Sequence, residues 1–274
     1  PAPAPGGTVT DDDARRAVLT SLGEKVILPT VRQLDLSATA MATAIDGHAG
    51  APADAATLAT ARTAWKTAMT AVQRAEVMQI GPAAFVTDNG GKGLRLKIHS
   101  FPQFDACAIL AAAYAAEPAA ISDATPLTTT GMGAIEFLLF GSGAERGCPT
   151  PATVDATALR ARHAARLARR VATVATELRT AWEPGGGDFV AQLRTAGLGG
   201  MTYSTPQMAM DALSSAIFYF EKMSKDRKLA APTGFGATDI VECAAVSCPD
   251  LAESPFARVS RDNLRENLFA FRDI

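Results

Sequence analysis

Apolar side chains recur every three or four residues along most of the chain, and no run alternates long enough to predict a strand. The clearest case is Val154 to Trp182, where Leu159, Leu167, Val171, Val174 and Leu178 fall on one helical face. Thr10 ahead of Asp11, Asp12 and Asp13 is a cap followed by acids, predicting a helix to about Leu28. Pro29 is expected to break or kink it, and a second stretch is expected to reach Ile45, with Gly47 to Pro52 as a loop. Asp54 caps a predicted helix carrying Leu58, Trp65, Met69, Val72 and Val77 and ended by Gly81-Pro82. Further helices are predicted over Pro102 to Ala116 and Thr129 to Phe140. Another starts at Thr205-Pro206 and runs to about Lys228, and a last one is capped by Ser260 and ends near Phe271. Gly141 to Pro151 reads as a linker near the middle, and Pro232 to Pro255 as a loop. The expectation is an all-α fold of about eight helices, arranged as two bundles split at the linker.

Composition explains how such a fold is packed. Of the 274 residues 48% are apolar, but 56 are alanines and aromatics make up only 6%. Alanine is the strongest helix former and a weak strand former, so the composition argues against an all-β fold and the core must be thin. The formal net charge of −2 argues against a nucleic-acid binder. No uncharged stretch reaches the roughly 20 apolar residues of a membrane span. The opening Pro1-Ala2-Pro3-Ala4-Pro5-Gly6-Gly7 reads as an extended tether, as in exported proteins and lipoproteins, with a lipid anchor upstream of residue 1 conceivable.

Four cysteines allow three pairings. Cys243 and Cys248 share a Pro- and Gly-rich loop, where a short bridge is easy, which leaves Cys107 and Cys148 to close a long loop. Two disulfides point to an oxidising compartment. His48, His99 and His163 do not cluster with the cysteines at zinc-finger spacing.

Most chemistry-bearing residues have an ordinary structural reading. Arg160, Arg162, Arg166, Arg169, Arg170 and Arg179 read as a solvated helix face, with an anion-binding stripe as the alternative. His163 lies on the apolar stripe and reads as a satisfied core histidine. Lys225-Asp226-Arg227-Lys228 reads as cations complementing a helix dipole. Two carboxylates stand in apolar company: Glu76, and Glu136, which is the only charge between Asp123 and Glu145. If buried, each must be paired, hydrogen-bonded or metal-bound.

At these residues the chain resembles the imelysin family. Trp65 to Pro82 is similar to the family's helix of a Trp, a later Glu and a closing Gly-Pro. Gly131 to Gly141 resembles its Gly-x-His-x-x-Glu helix, and Glu253-Ser254-Pro255-Phe256, Ser260 and Asn267-Leu268 resemble its C-terminal signature. Arg95-x-Lys97-Ile98-x-Ser100-Phe101-Pro102 and Leu213 to Lys228 look like a branch with lipoprotein-like members. The resemblance implies two four-helix bundles related by pseudo-symmetry, here residues 8–142 and 143–274, with the site in the cleft between them. It implies a bacterial exported protein, periplasmic or a cell-envelope lipoprotein, linked to iron or metal uptake, with some relatives being metallopeptidases.

One departure weighs on function. The motif's histidine position is Gly133, which supplies neither ligand nor base. A zinc peptidase needs about three protein ligands and an activated water. No catalytic residue is therefore assigned, and the expected function is non-catalytic binding of a metal, a metal complex or an envelope partner protein. The expected cleft residues are Glu76, Glu136, Ser254 and a cation, with Lys225 and Arg265 the choices and Lys228 the third possibility. Glu76 and Glu136, with a third acid, would suit a hard cation such as iron or calcium. A metallopeptidase and a scaffolding protein with no small ligand are the alternatives.

Overall fold

A computed structural model of the chain describes residues 10–142, 144–149, 155–235, 243 and 245–274. The expected tether at Pro1 to Gly7 and part of the Gly141 to Pro151 linker lie outside these residues. Among the described residues the fold is all-α. The helices are α1 (Asp11–Leu22), α2 (Leu28–Gly50), α3 (Ala55–Ala75), α4 (Leu94–Ile98), α5 (Ala106–Tyr114) and α6 (Gly131–Phe140). They are followed by α7 (Ala156–Trp182), α8 (Phe189–Arg194), α9 (Pro206–Tyr219), α10 (Ala231–Thr233) and α11 (Ser260–Asp273).

Local chemistry sets the ends. Thr10 Oγ1 accepts the Asp13 amide while Asp13 accepts the Thr10 amide, a reciprocal cap that starts α1. Pro29 neither ends nor visibly divides the helix: α1 continues into α2 through a π-helical turn, Gly23–Ile27. There the Leu28 amide reaches back to the Gly23 carbonyl. Widening the helix just ahead of proline is one way to absorb its missing N–H and its ring. α2 then runs through Gly47 to Gly50, beyond the expected loop start, because its far side is packed. α3 stops at Ala75, earlier than Gly81-Pro82 suggests. α5 begins after Asp105, whose side chain accepts the Ala108 amide, so Pro102 to Phe104 are not helical. Ser260 is the first residue of α11 rather than its cap. The short helices α4 and α8 were not predicted. α9 also passes into a second π-helical stretch, Phe220–Ala230, which ends against α10.

α2 packs along both α3 and α7, and α6 packs on α7. α11 lies against α3, while α1 covers α8 and α9. The expected division after residue 142 falls between α6 and α7, and one connected apolar cluster draws residues from either side of it. Ala61, Ala68, Ala164, Ala168 and Ala175 are fully buried in that cluster. Small side chains let the helix axes approach, and Trp65 and Trp182 supply bulk. Trp65 Nε1 donates to the Met132 carbonyl at 3.1 Å, tying α3 to α6.

The disulfides are Cys107–Cys148 and Cys243–Cys248, as the loop argument expected. No helix among the described residues is long and apolar enough to cross a membrane. The α7 arginines are not simply a solvated face. Arg169 pairs with Asp46 at 2.7 Å and Arg179 with Asp35 at 2.7 Å, both on α2. Arg160 is buried and donates to the carbonyls of Phe137 (2.7 Å), Leu138 (3.2 Å) and Ser142 (3.2 Å), and to that of Gly141. It thereby satisfies the open C-terminus of α6.

Candidate functional site

Four segments converge on a buried polar knot. The end of α3 brings Gln73 and Glu76, and the residue after α4 brings His99. The π-helical stretch brings Ser224 and Lys228, and α11 brings Asn263 and Asn267. Glu253 enters from the loop ahead of α11. All of these side chains are buried.

Lys228 is the centre. Its ammonium donates to Gln73 Oε1 at 2.7 Å and Asn267 Oδ1 at 3.1 Å, and to Glu76 Oε1. It also lies 3.0 Å from Glu253 Oε1. Glu253 accepts from Gln73 Nε2 at 3.0 Å and from Asn263 Nδ2 at 2.9 Å, and sits 2.7 Å from His99 Nε2. Asn267 Nδ2 bridges the Gln73 carbonyl (2.7 Å) and Glu76 Oε1 (3.0 Å). Burial opposes the charge on Glu253, yet the Lys228 ammonium and His99 hold its carboxyl well below the usual carboxylate range. The second oxygen of Glu76 and the Tyr219 hydroxyl each lack a hydrogen-bond partner at standard geometry.

Glu136 sits beside this knot with a different task. Its Oε1 accepts the Ala257 amide at 2.8 Å. Burial pushes its carboxyl up to about 7, while the amides of Ala257 and Phe256 and the Ser254 hydroxyl pull it back and neighbouring Glu253 adds to the rise. It thus anchors the loop from Glu253 to Arg258, where Ser254 and Arg258 adopt left-handed φ values of 52° and 57°. Such strain persists only where the surroundings enforce it. Phe256 packs on Phe137, with ring centres 5.1 Å apart. The loop closes one side of a cavity of about 250 Å³ whose wall includes His99, Phe104, Gly133, Glu136, Arg146 and Ser254. A Cβ on Gly133 would meet only Phe104, at 3.9 Å, so the motif's histidine position opens onto this space.

Of the expected site residues, Glu76, Glu136 and Ser254 come together around Glu253. Lys225 and Arg265 do not. Lys225 is exposed and pairs with Asp226 at 2.7 Å, and Arg265 is exposed and pairs with Asp262 at 3.1 Å. Lys228 is the cation that enters, so it is not a solvated dipole partner at a helix end. The reason is geometric: the buried positions Tyr219 and Ser224 are five apart, a π spacing that turns Lys228 inward and Lys225 outward. Glu253 and Asn267 were visible only as members of a motif, and His99 only as a histidine apart from the cysteines and as the unnamed position between Ile98 and Ser100.

Metal ligation fits this arrangement poorly. Glu76, His99 and Glu253 bring donor atoms within 4.8 Å of one another, whereas Glu136 is not part of that group. Their shared space already holds the Lys228 ammonium. A divalent ion, needing oxygens at about 2.0–2.6 Å, would have to displace it.

A helical protein with a buried ionic knot beside a small cavity is the class this structure defines. The chain belongs to the imelysin family (Peptidase M75), whose pattern matches residues 27–274. Among solved structures, a protein from Parabacteroides distasonis ATCC 8503 named as an iron-regulated protein A precursor superposes with a TM-score of 0.71 at 18% identity. That match covers 98% of this chain and 75% of the other. An imelysin-like protein from Psychrobacter arcticum 273-4 gives a TM-score of 0.68 at 13% identity, covering 96% and 74%. No curated protein matches the chain.

Proposed function

We propose that this is an exported, non-catalytic binding protein of the bacterial cell envelope, serving iron or metal uptake. Its ligand sits in the cavity beside Glu136. The observation that carries this reading is Gly133: where the family motif has a histidine, this chain has open space bounded by Phe104. No base or ligand stands there to activate water for hydrolysis. Because the Lys228 ammonium already occupies the space between Glu76 and Glu253, a small metal chelate suits the cavity better than a bare ion in the knot. The iron-regulated name of the Parabacteroides protein supports the metal connection, and the disulfides support export.

The test is a thermal-shift panel of ferrous iron, ferric citrate, calcium, zinc and haemin on protein purified without chelator, with elemental analysis beside it. Stabilisation by ferric citrate, weakened by Gly133→Phe, which fills the space, is expected. No shift with any of these overturns the binding reading. Chelator-sensitive cleavage of unfolded casein, lost in Glu136→Ala, would establish the peptidase instead. A scaffold without ligand would carry an internal ion pair at Glu136. Among the described residues Glu136 binds backbone amides and Ser254, and the buried pair belongs to Glu76 and Lys228.

A further inference from the structure

A larger cavity lies elsewhere, measures about 750 Å³, and shares no lining residue with the one beside Glu136. It falls within the size range of small-ligand sites. Its walls are the segment between α3 and α4, Tyr203, and one face of α9 with the start of the π-helical stretch. Arg95, the second residue of α4, lines it.

Arg95 is an unusual residue to find there. It is only 8% exposed, and its Nη1 is buried without a hydrogen-bond partner. Its guanidinium is stacked 5.2 Å from the Tyr219 ring centre and 6.0 Å from that of Phe85. These rings hold the plane in place but accept none of its N–H groups. Arg95 forms no ion pair among the described residues. On its inner side it shares with Glu76 a void of about 10 Å³, without reaching ion-pair distance. A buried, always-charged group left short of acceptors costs free energy that a bound acceptor would recover. The guanidinium fork matches a carboxylate, two N–H groups to two oxygens.

The rest of the cavity describes the body of such a ligand. Phe85, Met208 and Phe218 line it with exposed apolar side chains, an arrangement soluble proteins rarely leave without use. Asp88, Asp211 and Lys222 also line it. The two acids are exposed and already engaged, Asp88 by the Phe85 amide at 3.2 Å and Asp211 by Gln207 at 2.7 Å. Water screens them, whereas Arg95 acts from the protein interior, where a charge counts for more.

We infer that this cavity is a second ligand site, which takes a small organic carboxylate with an aromatic or aliphatic body. Arg95 holds the carboxylate, and the body rests on Phe85, Met208 and Phe218. The site is separate from the one proposed above, since the two cavities share no lining residue.

The test uses 1-naphthoate and its uncharged analogue 1-naphthalenemethanol, titrated into the intact protein by calorimetry and ligand-observed NMR to about 5 mM. The expected result is at least about tenfold tighter binding of the carboxylate. Arg95→Met is expected to erase that preference while leaving weak binding of both compounds, and Arg95→Lys to reduce it. Phe218→Ala is expected to weaken both compounds alike. Equal binding of the two by the wild type overturns the inference, and so does no binding of either. The wild-type comparison needs no variant, so the answer stands even if Arg95→Met fails to fold. A preference that survives in a folded Arg95→Met protein would also overturn it.

Discussion

Glu136 and His163 are both buried, and burial moves them in opposite senses. Glu136 is raised from 4.5 to about 7, so the folded state holds a proton that the unfolded state releases, and stability falls as pH rises through that window. His163 is lowered from 6.5 to about 4 by burial and by Arg166, so stability falls as pH drops through its own window. Between about pH 4.5 and 6.5 the two slopes oppose each other. Relative to wild type, Glu136→Gln should therefore lose stability toward acid and His163→Leu should gain it, each by up to about 3 kcal/mol. Urea melts at several pH values check this, and parallel pH profiles for all three proteins would refute it. The sequence placed His163 in the core correctly but expected its ring to be satisfied, whereas both ring nitrogens lack partners. Periodicity reports burial and says nothing of partners. At Lys228 the expected effect is larger. Lys228→Met strands two buried carboxylates and should cost about 3–5 kcal/mol in a denaturant melt, with Glu76→Gln restoring part of it. A loss of no more than a surface pair's about 1 kcal/mol would mean the ammonium does not hold the knot's carboxylates.

At the scale of elements, the helices that were easiest to read are long and amphipathic, such as α7 and α3. Those that were missed, α4 and α8, are five and six residues long. So short a helix is held by its neighbours rather than by its own periodicity. The two π-helical stretches were also hidden, because each shifts the buried face without changing the helix-forming character of its residues. The disulfides were legible from spacing, and spacing ranks them. Cys107–Cys148 spans 41 positions and Cys243–Cys248 spans 5. In the loop-entropy view their removal should cost about 4 and about 2 kcal/mol respectively. Paired Cys→Ala variants in equilibrium unfolding check the order. A larger loss from the short loop would show that strain or local packing, not chain entropy, governs these bridges.

At the scale of the molecule, the core is a set of close helix contacts lined by alanine. Ala168 is fully buried on α7, which packs against α2, α4, α5 and α6. Ala168→Leu should overfill that seam and cost about 1–3 kcal/mol, while the same change at exposed Ala59 should be close to neutral. Thermal melts of both variants distinguish a tight seam from a loose one. The all-helical class, the thin core, the disulfide pairing and the apolar setting of Glu76 and Glu136 followed from the sequence alone. Each rests on local properties: helix propensity, spacing along one chain, and the cost of a lone charge among apolar neighbours. Tertiary structure alone decided which cation answers those acids, that Glu253 and His99 join them, and that Arg95 faces a cavity with its fork unfilled. These outcomes depend on distant segments, such as Glu76 and Lys228, 152 positions apart, or His99 and Glu253, 154 apart, meeting in a space where water cannot serve as the partner.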